Sequence, residues 1–209
     1  MKLRTASRLI VIVLVVVVGG IIAARNLWTN SHAAQIAPTP TFAAGTTLDG
    51  RAAPNFTLKD QSGATVSLAQ FKGHPVVLTF LDATCTTECP ITAQYLDWTG
   101  SFLGKHASDV TWLAMSVNPT NTTADANHFI SENKVQVPLH VLLGTRAELA
   151  PLWKAYYIEV VPPATPGGDV EHTIVTYLID AKGHEREVMD QGFDPKAAAA
   201  DLSALLAGH

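Results

Sequence analysis

Apolar residues in this chain form short blocks separated by longer segments of mixed character. The block Val76–Leu81 is rich in β-branched and other apolar residues, which is typical of a buried strand. Similar blocks occur at residues 110–117, 139–143 and 173–179. The segments between several of these blocks carry helix-start residues and apolar residues suited to one side of a helix. Strands that alternate with helices in this way predict an α/β fold with a mainly parallel sheet.

Capping residues indicate where the helices begin. The predicted helices cover about residues 90–103, 123–133, 145–157 and 195–206. Thr145, three residues before Glu148, predicts a capping box, and Thr122 or Thr123 is a candidate cap for the preceding helix. In the first helix the candidate core residues are Ile91, Tyr95, Leu96 and Trp98.

Two hairpins are predicted at the ends of the domain. Residues 56–58 and 65–68 are extended segments that flank a turn containing Gly63. Residues 184–189 follow a second glycine-containing turn and should pair with the strand at 173–179. The closing hairpin would add antiparallel strands at one side of the parallel sheet.

The first 28 residues follow a different pattern from the rest. Lys2, Arg4 and Arg8 precede an almost wholly aliphatic run over residues 9–24. This predicts a single transmembrane helix with a cytoplasmic N-terminus, which would place the domain on the extracytoplasmic (periplasmic) side of the inner membrane. A cleaved signal segment is the alternative. Residues 29–52 lack any packing period and predict a flexible linker, so the folded domain is expected over 53–209.

Charge excludes one class of partner. The chain has 209 residues, a formal net charge of −4 and 15% charged residues. No basic run is present, so the sequence does not predict nucleic-acid binding.

The two cysteines of the chain, Cys85 and Cys89, are separated by only three residues. They lie where the strand Val76–Leu81 leads into a helix that has Pro90 in its first turn, a position where proline is well tolerated. The partial positive charge of a helix N-terminus favours thiolate over thiol. Both cysteines are therefore expected to ionise more readily than an ordinary cysteine.

Three interpretations of this pair compete. A structural disulfide is disfavoured, because so small a loop saves little chain entropy. A dithiol–disulfide redox pair remains open. The third interpretation is a soft metal site, because thiolates select Cu(I), zinc or iron–sulfur clusters. Zinc would normally need four ligands and there is no second cysteine pair. The spacing therefore favours Cu(I) with a histidine as the third donor.

Among the eight histidines of the chain, His172 has the most suggestive position. It follows an irregular segment rich in proline and glycine and directly precedes the strand predicted at 173–179. In a thioredoxin-like sheet the start of that strand lies beside the dithiol loop. An imidazole there could face both sulfurs, and a hydrogen-bonded structural histidine is the alternative.

Several segments together resemble the SCO/SenC family (synthesis of cytochrome c oxidase). The motifs that carry the resemblance are residues 53–58, 71–73, 85–90, 144–148, 155–157 and 171–180. The resemblance implies a thioredoxin-like fold with copper bound by Cys85, Cys89 and His172. It also implies a membrane-tethered metallochaperone that takes Cu(I), with Cu(II) left open, from a donor protein to the dinuclear copper site of cytochrome c oxidase subunit II. A thiol-disulfide oxidoreductase that keeps the acceptor cysteines reduced is the alternative role.

The chain departs from the family pattern at three positions. Thr86 replaces the usual proline after the first cysteine, Asn118 replaces a common aspartate, and Glu171 stands where aspartate is more frequent. A peroxidase of the related peroxiredoxin-like group is a third hypothesis. This chemistry usually needs a threonine and an arginine around one cysteine. Thr84 is present near the cysteines, but there is no suitable arginine, so the hypothesis is disfavoured.

Overall fold

The computed structural model describes residues 18–21, 41–163, 165 and 170–208. The chain divides into two units, residues 1–40 and residues 41–209. Residues 18–21 are helical, and within the described residues no helix is long and apolar enough to cross a membrane. Apart from these four residues, the predicted anchor over 1–28 lies outside the described part of the chain, as do residues 29–40 of the predicted linker.

The second unit is built around an eight-stranded mixed sheet. In chain order, all its strands and those of a small second sheet are β1 (Thr46–Thr47), β2 (Thr57–Asp60), β3 (Thr65–Ser67), β4 (Val76–Leu81), β5 (Thr111–Ser116), β6 (Leu139–Leu143), β7 (Val160–Val161), β8 (Glu171–His172), β9 (Val175–Ile179) and β10 (Glu185–Asp190). The large sheet has the order β1-β10-β9-β4-β5-β6-β2-β3, and β7 pairs with β8. Strands β4, β5 and β6 are mutually parallel, whereas β9 runs antiparallel to β4. The predicted parallel core and both predicted hairpins are therefore present.

Four α-helices connect and cover the strands of this unit. They are α1 (Glu88–Leu103), α2 (Thr123–Glu132), α3 (Arg146–Ala155) and α4 (Pro195–Leu206), with 3₁₀ helices at Leu68–Phe71 and Gly104–Asp109. Capping boxes form at Thr122 with Asp125 and at Thr145 with Glu148. Asp194 caps α4 directly before Pro195. These starts agree with the capping signals in the sequence.

Strand β4 lies inside the large sheet, between β9 and β5, and is buried along its whole length. Val77 and Leu81 point into one core cluster, and Leu78 and Phe80 point into another on the opposite face. A strand covered on both faces has no polar side, which explains the continuous apolar run in its sequence. The carboxyl end of β4 therefore lies beside the carboxyl end of the parallel strand β5, and the two cysteines follow β4 at this end of the sheet.

The orientation of α1 differs from the prediction. Leu96 is buried and Tyr95 is partly buried, but Ile91 and Trp98 are 45% and 47% exposed. The predicted core assignment of Ile91 and Trp98 is therefore wrong. The helix buries small and polar residues instead, because it approaches its neighbours closely: a Cβ on Gly100 would lie 2.6 Å from Val137 Cγ1. Large side chains are turned outward as a result.

The folded unit also begins earlier than predicted, because residues 41–52 pack against it rather than forming a linker. Phe42 is only 4% exposed, and Thr46–Thr47 pair with β10. Gly45 allows this approach, since a Cβ there would lie 2.3 Å from the carbonyl oxygen of Val188. A two-residue strand among alanines and threonines has no period that a sequence pattern could reveal.

Candidate metal centre

Cys85 and Cys89 lie where β4 gives way to α1. The helix begins at Glu88, two residues earlier than predicted, so Cys89 and Pro90 both belong to its first turn. Backbone N–H groups in that turn have no partner within the helix, and proline is therefore tolerated there. Both cysteines are free thiols. Cys89 is 2% exposed whereas Cys85 is partly exposed, so Cys85 is the sulfur that another molecule can reach.

The two sulfurs have opposite acid–base character. A hydrogen bond from the Cys89 thiol, together with the backbone N–H groups of Cys89 and Thr87, lowers the pKa of Cys85 to about 4. The hydroxyl of Thr87 lies 3.6 Å from Cys85 Sγ and acts in the same direction. The hydrogen bond to Cys85 and burial raise the pKa of Cys89. The reduced pair therefore holds one negative charge, and that charge is on Cys85.

His172 lies beside Cys89 although the two residues are 83 positions apart in the chain. Its Nε2 is 4.0 Å from Cys89 Sγ. Its Nδ1 is 2.9 Å from the carbonyl oxygen of Thr173, and only a protonated Nδ1 can donate to that acceptor. The lone pair of a neutral ring is then on Nε2, which faces the sulfur. A histidine held in this way through its other nitrogen is typical of a metal ligand.

Strands β7 and β8 place this ring. Val160 pairs with His172, and Val161 pairs with Glu171, in a two-stranded antiparallel sheet. The sequence prediction extended one strand over residues 173–179, whereas β9 begins only at Val175. The break between β8 and β9 turns the chain so that His172 is directed toward α1 rather than along the main sheet.

The donor set can be tested for its fit to a soft metal ion. Metal bonds to sulfur and imidazole nitrogen are about 2.3 and about 2.0 Å long in zinc sites. The separation of 4.0 Å between Cys89 Sγ and His172 Nε2 therefore leaves room for an ion between these atoms in a bent arrangement. Cys85 contacts Cys89, but in the described residues no three such side chains are already closed around one point. For a three-coordinate site, the Cys85 side chain would have to turn so that its Sγ reaches the same ion.

A buried polar network supports the dithiol loop, and the sequence analysis assigned it no role. Asp82 is 2% exposed. Its Oδ1 accepts hydrogen bonds from the backbone N–H and hydroxyl of Thr84 and from Asn121, and its Oδ2 accepts one from Asn118. Its own N–H donates to Cys89 Sγ at 3.4 Å. The sequence offers one sign of this network, which is the single aspartate, Asp82, at the end of an apolar strand.

The structure thus brings together all three residues that the sequence singled out. Cys85 contacts Cys89, and Cys89 contacts His172. Their role as copper ligands stays a prediction at this point. The backbone carbonyl of Thr173, which fixes the imidazole, has no signature in the sequence because any residue could supply it.

Comparison with known proteins shows to which family this chain belongs. The SCO1/SenC family model matches residues 44–207. The chain belongs to the SCO1/SenC family. This confirms the resemblance found in the sequence, and it agrees with a domain that begins before residue 53. The mixed α/β, thioredoxin-like fold of the family is confirmed with it.

Individual SCO1/SenC proteins are similar along most of their length. The structure of Bradyrhizobium japonicum ScoI with copper bound is 29% identical with a TM-score of 0.66, and the match covers 74% of this chain and 99% of that one. Protein SenC of Rhodobacter capsulatus is 28% identical over 154 residues, which are 72% of this chain and 69% of that protein. The likeness therefore extends over most of the folded unit.

A second group of proteins is also similar to this chain. The chloroplastic peroxiredoxin Q of Triticum aestivum is 29% identical over 183 residues, which are 82% of this chain and 76% of that protein. The side chains around Cys85 give no further support for a similarity to peroxiredoxins. Its side-chain partners in the described residues are Cys89 and Thr87, and no arginine donates to it. The family assignment therefore rests on the SCO1/SenC model, which matches residues 44–207.

Proposed function

We propose that this chain is a copper-binding metallochaperone that delivers copper to the dinuclear copper site of cytochrome c oxidase subunit II. One observation carries the proposal: a reduced cysteine pair meets an imidazole whose unprotonated nitrogen lies 4.0 Å from Cys89 Sγ. Two thiolates and one neutral imidazole are donors that suit Cu(I). The copper bound in the ScoI structure, 29% identical to this chain, supports the same cargo here.

The exposure of the site suits transfer rather than storage. Cys85 is partly exposed and carries the negative charge of the pair, so it can meet an incoming ion first. Cys89 loses its proton when it joins the coordination sphere, and His172 contributes Nε2. Three donors leave a position open for a thiolate of the acceptor. Copper can then pass by exchange of one sulfur ligand for another, without change of its oxidation state.

The proposal includes a location and two partners. An anchor formed by residues 1–28 would hold the domain at the extracytoplasmic face of the membrane, where a membrane-bound oxidase subunit can be reached. A separate donor protein would supply the copper. The sequence pattern of residues 1–24 supports the tether.

Copper titration of the reduced full-length chain tests the proposal. We expect one Cu(I) per chain, and we expect His172→Ala to weaken binding by about 10- to 100-fold or more, since one of three ligands is lost. His128→Ala is the matched control, because His128 is exposed on α2 and should not affect binding. Metal analysis gives the stoichiometry, and competition with a Cu(I) chelator gives the affinity. Equal Cu(I) affinity in the parent and in His172→Ala would show that His172 is not a copper ligand.

A second candidate function is thiol-disulfide exchange with the acceptor cysteines. The opposite acid–base character of Cys85 and Cys89 favours it. The Cys85 thiolate would attack an acceptor disulfide, form a mixed disulfide and release one acceptor thiolate. Cys89 would then give up its proton and attack Cys85, which releases the second acceptor thiolate and leaves a Cys85–Cys89 disulfide. Two electrons pass from this chain to the acceptor.

The two functions respond differently to one substitution. His172→Ala should remove tight copper binding and leave dithiol exchange largely intact, because His172 takes no part in the exchange steps. Reduction of insulin disulfides by the parent and the variant measures the second activity. Fast insulin reduction in the parent, together with copper binding that is unchanged in His172→Ala, would favour the oxidoreductase.

A further inference from the structure

Asp82 is a buried carboxylate for which the transfer chemistry has no use. It is 2% exposed, and in the described part of the chain its hydrogen bonds come only from amides and a hydroxyl. Burying a carboxylate without a cation costs free energy that several hydrogen bonds must offset. Its place directly before the dithiol loop therefore calls for a reason.

Asp82 ties the loop down from one side. The backbone N–H of Cys85 donates to the Asp82 carbonyl at 3.1 Å, which closes a tight turn. The carboxylate accepts the backbone N–H of Thr84 at 2.9 Å and its hydroxyl at 2.7 Å, as aspartate does in Asx turns. The N–H of Asp82 reaches Cys89 Sγ. One residue thus holds both ends of the segment that presents the sulfurs.

Asn118 holds the carboxylate from the other side, and its orientation is determined. Its Oδ1 accepts from the backbone N–H of Thr120 at 3.0 Å and from the Thr120 hydroxyl at 2.7 Å. Its Nδ2 must therefore be the group that donates to Asp82 Oδ2, at 2.9 Å. An aspartate at position 118 would place two carboxylates in contact. Asn118 therefore supplies the N–H donor that the Asp82 carboxylate needs.

We propose that Asp82 is the positioning residue of the dithiol, and that Asn118 is the amide that its buried charge requires. The proposal rests on the cysteine pair being the working site, as proposed above. Asp82 fixes Cys85 beside Cys89 through the turn, and its carboxylate acts electrostatically on Cys89. The pair Asp82–Asn118 then behaves as a unit whose carboxylate and amide can be exchanged but not duplicated.

Four variants of the full-length chain test this unit: Asp82→Asn, Asn118→Asp, the double exchange of both, and Asn118→Ala. In Asp82→Asn, an amide N–H group would face the N–H group of Asn118, so the hydrogen bond between the two side chains is lost. In Asn118→Asp, two carboxylates would be in contact and would repel each other. Each should lower Cu(I) affinity at least about tenfold, as is common when a residue that supports a metal ligand is lost. The double exchange restores one carboxylate and one amide, and we expect an affinity within about threefold of the parent.

Equilibration of the cysteine pair with glutathione supplies a readout that a merely structural role would not produce. Asp82→Asn removes a negative charge near the sulfurs and should shift the equilibrium toward the dithiol by about threefold or more. Asn118→Asp adds a charge and should shift it toward the disulfide. The double exchange should return to the parent value. Asn118→Ala removes one donor without adding charge, so it provides a milder variant, with a loss of Cu(I) affinity of about threefold, should Asn118→Asp fail to fold.

Asp97→Asn is the matched control. Asp97, which lies on α1, is another buried carboxylate, 8% exposed, and it accepts hydrogen bonds from the backbone N–H groups of Gln136 and Val137. Its substitution should lower stability and leave both readouts within about threefold of the parent. If Asp82→Asn behaves in the same way, Asp82 is merely structural and the proposal is wrong. A double exchange no better than the worse single variant would also overturn it. Absence of Cu(I) binding in the parent would defeat the metallochaperone proposal, whereas the glutathione readout would still decide the role of Asp82.

Discussion

At the scale of single residues, the site depends on how three polar atoms are held. Cys85 is a thiolate because Cys89 and the first turn of α1 donate hydrogen bonds to it. His172 presents Nε2 because its Nδ1–H donates a hydrogen bond to the carbonyl oxygen of Thr173. The identities of these side chains could be predicted from the sequence. Their protonation could not, because it depends on backbone groups and burial that only the folded chain defines.

The charge on Cys85 predicts an unusual pH profile for alkylation. A pKa lowered to about 4 means that the thiolate is present at pH values above 4 and is lost below. The rate of reaction of Cys85 with iodoacetamide in the reduced protein should therefore stay nearly constant from pH 8 to pH 5 and fall only near pH 4. Mass spectrometry of the modified peptide measures this rate, and buried Cys89 should react much more slowly.

Cys89→Ala provides the control for this profile, because it removes the strongest hydrogen bond to Cys85. The midpoint should then move up toward the ordinary value of a cysteine. A parent whose rate already falls tenfold for each pH unit below 8 would show that Cys85 is an ordinary thiol, and the assignment of the charge would be wrong.

At the scale of elements, start signals were more informative than the apolar pattern within a helix. The capping boxes at Thr122 and Thr145 depend on local geometry and are present in the structure. The face that α1 buries depends instead on what lies opposite. Gly100 and its small neighbours face Val137 and the sheet, while Trp98 and Phe102 are 47% and 59% exposed. A pattern of large apolar residues alone could not identify the buried side.

This orientation predicts different costs for two substitutions in α1. Leu96 is fully buried, so Leu96→Ala should lower the free energy of unfolding by about 2–5 kcal/mol. Trp98 is half exposed and contacts mainly Tyr95, with ring centroids 5.3 Å apart. Trp98→Ser should cost less than about 1 kcal/mol. Chemical denaturation of the two variants measures both values, and equal costs would mean that α1 is rotated from the position described.

At the scale of the whole molecule, two of the contacts between distant segments show what the sequence could and could not predict. The first is the contact between Cys89 and His172, which joins the end of β4 to β8 across 83 residues. The resemblance to a family placed His172 there, since spacing alone left a structural histidine as the alternative. The second is the packing of residues 42–47 on β10 and α4, which the sequence analysis assigned to a linker. Its decisive contacts run from backbone N–H groups to buried carboxylates, and no local pattern marks them.

Those carboxylates belong to Glu187 and Asp201. Glu187 is fully buried and accepts the N–H of Gly45, and Asp201 accepts the N–H groups of Ala43 and Ala44. In the described residues, Oε2 of Glu187 has no hydrogen-bond partner. Burial, together with the charge of Asp201, raises the pKa of Glu187 to about 7. The attachment of the N-terminal segment should therefore be sensitive to pH.

The direction of this effect follows from the linkage between protonation and folding. The folded chain holds the proton of Glu187 up to about pH 7, whereas the unfolded chain releases it near the ordinary value of about 4.3. The contribution of Glu187 to stability is thus greatest below pH 4 and is lost progressively as the pH rises toward 7. Glu187→Gln mimics the protonated acid, so we expect it to raise the free energy of unfolding at pH 8 by on the order of 1–2 kcal/mol. At pH 4, where the carboxyl group is largely protonated in both the folded and the unfolded chain, its effect should be close to zero.

Urea denaturation of the parent and Glu187→Gln at both pH values measures the difference, and hydrogen exchange at Ala43, Ala44 and Gly45 shows whether the segment is where stability changes. Asp125→Asn is a suitable comparison, because Asp125 is a partly exposed capping residue whose pKa is lowered by its hydrogen bonds to Thr122. Its substitution should cost stability at pH 8 rather than add to it. If Glu187→Gln is destabilising at pH 8, then Glu187 is ionised and well satisfied in the folded protein. The buried carboxylates would in that case hold residues 43–45 equally at both pH values, and proton uptake would play no part in the attachment.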